Sequence, residues 1–264
     1  MTLKQMDSIL PLVYGPVQSR RHGRSLGLNL GKPGSKECTW SCLYCQCGFG
    51  TRTDHESTSL TPKEIAAQVK AKLFEVGPVD AITIAGNTEP GLYPQLKELI
   101  RQLKILRYAS RGAWKILILS NGSELDSPQV QDAFSRADQA WLKLDAASEG
   151  DFARLSRPLR GGLKEHIVRL KQMKPLRVQT LLWGCSTRPE LSNSHPAQVA
   201  ALVDLLGDLR PLAVRLYTLD REPAFSELEP VEDGVLDGMA RELRARGIEV
   251  EWWPSQVAGV ASVT

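Results

Sequence analysis

The sequence predicts an α/β fold in which parallel strands alternate with helices. From about residue 60 onward, short apolar stretches alternate with segments whose apolar residues recur at helical spacing. Repeated units of this kind build a parallel sheet covered by helices, as an open barrel or a doubly wound sheet. No G-x-G-x-x-G motif follows a predicted strand, which disfavours a dinucleotide-binding fold.

The first predicted helix has the clearest start signal. Thr61 and Glu64 have the spacing of a capping box, with Pro62 at the first helical position, and they predict a helix over 62–75. Apolar spacing predicts further helices over 93–107, 128–136, 163–173, 197–209 and 234–246. Strands are predicted at 25–30, 79–85, 115–119, 140–144, 177–183, 213–219 and 248–252.

These elements predict a single domain over 25–256. A polar N-terminal arm, 1–24, precedes it, and a tail of small residues, 257–264, follows it and is expected to be frayed. The arm carries four cationic or potentially cationic side chains, which are Arg20, Arg21, His22 and Arg24. This cluster is either a grip for a carboxylate or phosphate of the substrate or a solvated basic surface.

Composition is that of an ordinary globular protein, with 42% hydrophobic and 24% charged residues among 264. The net charge of +3 is too small to indicate nucleic acid binding by itself. The sequence contains no run of about 18 apolar residues, so no membrane span is predicted. The start of the chain lacks the apolar core of a signal peptide. We therefore expect a cytoplasmic protein without a membrane partner.

Four of the five cysteines are crowded into one short segment. Cys38, Cys42 and Cys45 have the spacing C-x3-C-x2-C, which is poor for disulfides and typical of metal binding in an intracellular protein. A four-iron cluster held by only three cysteines keeps one iron open, and an open iron can bind a substrate.

Two other interpretations of the cysteines remain open. A non-catalytic zinc module would use Cys38, Cys42 and Cys45 with Cys47 or His55 as the fourth ligand. A simple electron carrier would require four cysteines for each cluster and would not need repeated strand–helix units.

Polar residues stop the predicted strands at their carboxyl ends, where parallel α/β folds collect their chemistry. They are Gly86, Asn87 and Glu89, then Ser120 and Asn121, then Lys143 and Asp145, then Thr218, Asp220 and Arg221. Each alone is equally explained as a turn or a helix cap. Together, beside a metal loop, they predict a site for a small zwitterionic ligand.

These residues resemble the radical S-adenosylmethionine (SAM) superfamily. The three cysteines of residues 38–45, with Tyr44 before the last, resemble its cluster loop, and 86–90 resembles its glycine–glutamate motif. Other segments resemble a subgroup described as wyosine-synthase-like iron–sulfur oxidoreductases, namely 15–27, 120–122 and 144–146.

The resemblance implies a partial (β/α)6 TIM-like barrel, a [4Fe–4S] cluster and SAM. The amino and carboxylate groups of SAM would chelate the fourth iron, and reductive cleavage of SAM would give a 5′-deoxyadenosyl radical that takes a substrate hydrogen. The implied SAM contacts are backbone groups around Gly86, Asn87 and Glu89 at the methionine amine, with Ser120, Asn121, Lys143 and Asp145 at the carboxylate and ribose. Tyr44 is implied at the adenine side. A low-potential donor such as flavodoxin or ferredoxin would supply the electron, and the substrate is a small molecule, a peptide or a tRNA.

The chain departs from the wyosine-forming enzymes in its cysteines. Those enzymes carry additional cysteines for a second cluster, whereas no cysteine precedes Cys38 here and only Cys47 and Cys185 remain. This departure disfavours tRNA wyosine chemistry. Cys185 is expected at the mouth of the site, Cys47 is expected to have no catalytic role, and His166 is expected on the surface of its helix.

Overall fold

The computed structural model describes residues 10–55 and 58–256. The predicted tail, 257–264, lies outside the described residues, as do residues 1–9 of the predicted arm. The chain divides into two compact units. Unit 1 comprises Met1–Thr39, Gly50–Trp141 and Gln172–Lys174, and unit 2 comprises Trp40–Phe49, Leu142–Lys171 and Pro175–Thr264.

Unit 1 holds the first strands and helices of the chain. Its strands are β1 (Val13–Ser19), β2 (Gly23–Leu28), β3 (Glu37–Cys38), β4 (Thr51–Arg52), β5 (Ala81–Ile84), β6 (Lys115–Ser120) and most of β7 (Gln139–Lys143). Its helices are α1 (Pro62–Val76), α2 (Leu96–Ala109) and α3 (Pro128–Arg136). The prediction of a helix over 128–136 is confirmed with the same bounds.

Unit 2 holds the end of β7 and the later elements. Its helices are α4 (Glu149–Asp151), which continues into a π-helical turn (Phe152–Ser156), nearly all of α5 (Leu163–Gln172), α6 (Pro196–Leu209) and α7 (Asp233–Ala245). Its strands are β8 (Arg177–Leu181), β9 (Trp183–Gly184), β10 (Ala213–Tyr217), β11 (Glu229–Pro230) and β12 (Glu249–Trp253).

The main sheet confirms the predicted α/β class. Its strand order is β1-β2-β5-β6-β7-β8-β10-β12. The pairs β2–β5, β5–β6, β7–β8, β8–β10 and β10–β12 are parallel, whereas β1 and β2 are antiparallel. No strand was predicted within the polar arm, and residues 13–19 form β1.

Strand β1 stays on the sheet because Tyr14 packs over a glycine of β2. A Cβ atom on Gly27 would lie 2.0 Å from the Tyr14 ring. The Tyr14 hydroxyl also donates a hydrogen bond to the carbonyl of Ala85 at 3.1 Å. The absence of a side chain on Gly27 therefore creates the space in which the half-buried Tyr14 ring packs.

Helix α1 begins at the predicted capping box. The Thr61 hydroxyl accepts a hydrogen bond from the Glu64 N–H at 3.3 Å, and the Glu64 carboxylate accepts one from the Thr61 N–H at 2.7 Å. Ile65 and Val69 lie on the buried face of the helix and are fully buried. In the described part of the chain, no helix has the length and apolar character needed to cross a membrane.

Candidate functional site: the cysteine loop and the polar strand ends

Cys38, the first cysteine of the loop, is held by unit 1. It ends strand β3, which pairs in parallel with β4, and its carbonyl accepts a hydrogen bond from the Thr53 N–H at 2.9 Å. Just before it, the Glu37 N–H donates to the Asn87 carbonyl at 3.1 Å. The backbone on both sides of Cys38 is thus fixed by neighbouring segments of unit 1.

The next two cysteines lie in unit 2 on consecutive tight turns. The Cys45 N–H donates to the Cys42 carbonyl at 3.2 Å, and the Gly48 N–H donates to the Cys45 carbonyl at 3.2 Å. Between them Leu43 is buried, and its backbone bonds both to the Leu155 carbonyl and to the Phe225 N–H. Buried Leu43 anchors this part of the loop in the core of unit 2.

All five cysteines are present as thiols. Among residues 10–55 and 58–256, no group of three or more His, Cys, Asp or Glu side chains is arranged to hold a metal ion. The donor set itself fits an iron–sulfur cluster, because three thiolates from one short loop match the ligands that such clusters take. Assignment of Cys38, Cys42 and Cys45 as ligands therefore rests on their spacing.

Next to the cysteine loop, the Asn87 side chain packs against Gly31 and the Asn29 side chain packs against Gly86. The Asn29 side-chain oxygen accepts hydrogen bonds from the N–H groups of Gly31 at 3.1 Å and Asn87 at 3.2 Å. The Asn87 side chain donates to the carbonyls of Lys32, at 2.7 Å, and Ser35. Backbone groups around Gly86–Glu89 were predicted at the SAM amine, and the side-chain nitrogen of Asn87 is engaged with the segment that enters the loop. Asn29 was missed, although a buried asparagine in an apolar strand is a signal that could have found it.

Glu89 is a buried carboxyl group surrounded by donors. It accepts hydrogen bonds from the Ser120 hydroxyl, from the Asn121 N–H at 2.9 Å and from the Gly91 N–H at 3.1 Å. Burial raises the pKa of Glu89 to about 7, although these three bonds lower it. Ser120 and Asn121, which were predicted as SAM contacts, thus hydrogen-bond to Glu89, another predicted SAM contact.

The Asn121 side chain also contacts the cysteine loop within unit 1. Its amide nitrogen donates to the Cys38 sulfur at 3.7 Å and to the Thr39 hydroxyl at 2.8 Å. Its amide oxygen accepts a hydrogen bond from the Ser123 N–H at 2.9 Å. Thr39 was missed in the sequence, where nothing distinguishes it from the other loop residues.

In unit 2, Lys143 and Asp145 form a buried ion pair. The Lys143 ammonium lies 2.8 Å from Oδ1 of Asp145 and 3.1 Å from the Tyr217 hydroxyl. Burial lowers the pKa of Lys143, but the charges of Asp145 and Tyr217 outweigh it, so the net shift is upward. The lysine is therefore charged, and Tyr217 joins the site although only its neighbour Thr218 was singled out in the sequence.

Asp145 has one carboxylate oxygen that is unused by the described residues. Its Oδ1 accepts hydrogen bonds from Lys143 and from the Leu181 N–H at 2.8 Å, whereas buried Oδ2 finds no partner in the described ranges. A buried acceptor without a donor is costly unless a ligand or water supplies one. Asp145 therefore fits a ligand that carries a hydroxyl group.

Tyr44 packs against the same lysine. The Lys143 ammonium lies 4.7 Å from the centre of the Tyr44 ring, and the Trp183 ring lies 5.1 Å from it. Burial, the charge of Asp145 and the charge of Cys42 raise the pKa of the Tyr44 hydroxyl. Tyr44 therefore places an uncharged aromatic ring beside Lys143.

The prediction that His166 lies on the surface is wrong. His166 is fully buried, its Nε2 bonds to the Lys143 carbonyl at 2.8 Å, and its ring stacks on Phe152 at 5.2 Å. Burial lowers the pKa of His166 to about 4, so the ring is neutral and Nε2 donates to the carbonyl. The charged neighbours of His166 along the helix concealed its burial.

The two remaining cysteines and one arginine of the predicted arm were also singled out in the sequence. Cys185 is buried in unit 2 beside the Thr187 hydroxyl, and Cys47 is half-buried. The Arg24 guanidinium, one of the four side chains of the basic cluster, donates to the Val76 carbonyl at 2.8 Å and to the Pro78 carbonyl. Arg24 therefore caps the end of α1.

Comparison with family models identifies the class of protein. Residues 33–171, just over half of the chain, match the model of the radical SAM superfamily. This segment contains the three cysteines and the strand ends at Glu89, Asn121 and Asp145. The chain belongs to the radical SAM superfamily.

Comparison with a curated relative identifies a smaller family within the superfamily. A UPF0026 protein of Helicobacter pylori (strain J99) is 31% identical over 228 residues, covering 86% of this chain and 72% of the relative. The chain is thus one of the UPF0026 proteins.

Solved structures show the same fold. A radical SAM methyltransferase from Sphaerobacter thermophilus has a TM-score of 0.57 at 19% identity, covering 88% of this chain and 66% of that protein. SuiB of Streptococcus suis, solved bound to SAM, has a TM-score of 0.59 at 13% identity, covering 84% and 49%. The chain therefore spans about two thirds of the first protein and half of the second. The likeness confirms the predicted fold class, the partial TIM-like barrel of radical SAM enzymes.

The superfamily also identifies the cofactors. Its members are enzymes that use a [4Fe–4S] cluster and SAM, and they need a reductant. The predicted cofactors are therefore confirmed at the level of the family. Membership in the wyosine-synthase-like subgroup is not established by these relatives.

Proposed function

We propose that this chain binds a [4Fe–4S] cluster through Cys38, Cys42 and Cys45 and cleaves SAM reductively, to abstract hydrogen from a substrate. The observation that carries the proposal is the C-x3-C-x2-C spacing inside the segment that matches the superfamily model. When bound, the reduced cluster supplies the electron that breaks a C–S bond of SAM, giving methionine and a 5′-deoxyadenosyl radical. The protein's own part is to hold and orient these groups and to exclude water.

In this proposal the loop leaves one position for SAM. Cys38, Cys42 and Cys45 would hold the cluster, and the amino and carboxylate groups of SAM would bind at the position without a cysteine. Hydrogen bonds in the turns at Cys42 and Cys45 fix the backbone of two of the proposed ligands. A fixed backbone lowers the entropy that ordering the loop would cost on binding.

In this proposal the backbone of Gly86–Glu89 would meet the methionine amine of SAM, and Ser120 and Asn121 hold Glu89 in place. Charged Lys143 would attract the SAM carboxylate, and Oδ2 of Asp145 would accept a hydrogen bond from a ribose hydroxyl. Tyr44 would provide the aromatic surface at the adenine side. The Asp145 acceptor that no described residue uses supports its assignment.

The electron donor in the proposal is a low-potential carrier such as flavodoxin or ferredoxin. The substrate in the proposal is a small molecule, a peptide or a tRNA. The resemblance of residues 15–27 to wyosine-synthase-like proteins supports that subgroup, whereas the missing second set of cysteines disfavours wyosine chemistry.

Anaerobic reconstitution tests the proposal. The wild-type protein should become brown with iron and sulfide, and with dithionite it should convert SAM to 5′-deoxyadenosine and methionine. Cys42→Ala should lose both the colour and the cleavage, because one iron loses its thiolate. Cys47→Ala is the matched control, since it removes a thiol from the same segment and should retain both.

The alternatives predict different results. Colourless protein with one tightly bound zinc would favour the zinc module, and loss of that zinc in Cys47→Ala would identify the fourth ligand. SAM cleavage retained by Cys42→Ala would refute the assignment of Cys42 as a cluster ligand.

A further inference from the structure

Asn121 lies directly behind the first cysteine of the loop. It is buried, and its side chain is held at both ends by unit 1. One end is the amide nitrogen, which faces the Cys38 sulfur at 3.7 Å and the Thr39 hydroxyl at 2.8 Å. The other end is the amide oxygen, which accepts a hydrogen bond from the Ser123 N–H at 2.9 Å.

These contacts fix the orientation of the amide. An amide has two N–H donors and one carbonyl acceptor, and a backbone N–H can bond only to the acceptor. Because the Ser123 N–H bonds to the oxygen, the nitrogen must face Cys38 and Thr39. The two N–H groups therefore point at a sulfur and a hydroxyl oxygen, and the amide is fully used within the protein.

The backbone of Asn121 adds a second restraint. Its N–H donates to the buried carboxyl group of Glu89 at 2.9 Å, which holds the residue where strand β6 ends. Side chain and backbone are thus both anchored. An amide held in this way provides a dipole of fixed direction next to Cys38.

We propose that Asn121 is a positioning residue that raises the reduction potential of the cluster through an N–H···S hydrogen bond to the Cys38 thiolate. Reduction adds one electron, taken from the external donor, and part of the added negative charge resides on the cysteine sulfurs. An N–H dipole aimed at one sulfur stabilises the reduced state more than the oxidised state, so the cluster is reduced at a less negative potential. This inference rests on the proposed function, and it assigns the Asn121 side chain to the cluster instead of SAM.

The neighbouring serine offers a matched control. The Ser123 hydroxyl also donates to the Thr39 hydroxyl, at 2.8 Å, but Ser123 reaches Asn121 only through its backbone N–H. Ser123→Ala therefore removes a hydrogen bond from the same network and leaves the bond to sulfur intact. Asn121→Asp keeps the acceptor for the Ser123 N–H and the shape of the side chain, but replaces the donor to sulfur with an acceptor.

The experiment is a redox titration of the reconstituted proteins, followed by electron paramagnetic resonance of the reduced cluster. Asn121→Leu should shift the midpoint potential to a more negative value, and Asn121→Asp should shift it further, because it also adds negative charge. Ser123→Ala should have the potential of the wild type. Equal potentials in all four proteins would overturn the proposal.

A second measurement needs no stable variant. In wild-type protein labelled with ¹⁵N-asparagine, electron–nuclear spectroscopy of the reduced cluster should detect a ¹⁵N coupling transmitted through the hydrogen bond. The absence of any such coupling would also overturn the proposal. If the wild-type protein takes up no cluster, the proposed function itself fails; a wild-type cluster without the coupling refutes only the role of Asn121.

Discussion

At the scale of single residues, two buried titratable groups give the protein opposite dependences on pH. Burial raises the pKa of Glu89 from 4.5 to about 7, so its contribution to stability is complete below pH 4.5 and is lost as the pH rises through 7. Burial lowers the pKa of His166 from 6.5 to about 4, so its contribution is complete above pH 6.5 and is lost as the pH falls through 4.

Because one pKa unit corresponds to about 1.4 kcal/mol, each shift changes the free energy of unfolding by about 3 kcal/mol. They act in the same window with opposite sign and therefore largely cancel between pH 4.5 and 6.5. Stability of the cluster-free protein should accordingly change little across this window.

Replacing His166 should reveal the effect of Glu89. In His166→Phe the ring still fills the space beside Phe152, but the Lys143 carbonyl loses its donor, at a cost of about 1–3 kcal/mol at pH 7. Stability of this variant should fall steadily as the pH rises from 4.5 to 7. Urea denaturation at several pH values measures this, and parallel curves for wild type and variant would contradict the assignment.

At the scale of elements, glycines have opposite roles in β2 and α7. A Cβ atom on Gly27 of β2 would lie 2.0 Å from the Tyr14 ring, whereas a Cβ atom on Gly238 of α7 would meet nothing within 4 Å. The first glycine is required by the packing of β1. The second only adds conformational freedom to the unfolded chain.

The two alanine variants should therefore change stability in opposite directions. Gly27→Ala should destabilise the protein by about 1–3 kcal/mol, because the Tyr14 ring must move from its place over β2. Gly238→Ala should stabilise it by about 0.5–1 kcal/mol, as expected for a helix interior. Urea denaturation of both variants at pH 7 measures the difference, and a stabilised Gly27→Ala would show that β1 does not pack there.

The sequence predicted elements with strong periodicity and missed one without it. Helix α3 and the start of α1 follow from apolar spacing and capping residues, which act locally and can be recognised in a single sequence. Strand β1 was missed because Gly15 and Pro16 interrupt it and because its Tyr14 packs over Gly27 of another strand. Its place on the sheet depends on tertiary packing, which a local pattern does not record.

The candidate site shows the same limit. The spacing of the cysteines indicated a cluster loop, and the strand ends indicated Glu89, Lys143 and Asp145. What each of these side chains contacts depended on distances across the fold. The sequence contains no sign that the amide of Asn121 would face sulfur, because 83 residues separate the two.

At the scale of the whole molecule, the division into units was also hidden in the sequence. Strand–helix alternation continues without a break from about residue 60, yet unit 1 takes Gln172–Lys174 from the later half and unit 2 takes Trp40–Phe49 from the earlier half. Each unit is therefore discontinuous along the chain, and no linker marks its boundary.

Binding of SAM should stabilise the cluster-loaded protein as a whole. A ligand that binds only the folded state at a hundred times its Kd adds about 2.7 kcal/mol, which raises Tm by about 5–10 °C in a protein of this size. Differential scanning fluorimetry under anaerobic conditions measures the shift, with cluster-free Cys42→Ala as the control. An equal shift in the control would show that SAM binds without the cluster.

The close packing of Gly31 against Asn87 and of Gly86 against Asn29 restricts substitution at these positions. A side chain on Gly31 would place its Cβ 1.8 Å from the Asn87 oxygen, and one on Gly86 would place its Cβ 2.2 Å from the Asn29 oxygen. A side chain on either glycine requires the facing asparagine amide to move out of its hydrogen bonds or to be replaced, so the effect of one mutation on stability depends on the residue opposite. Substitution of either glycine should therefore be tolerated better when the facing asparagine changes with it.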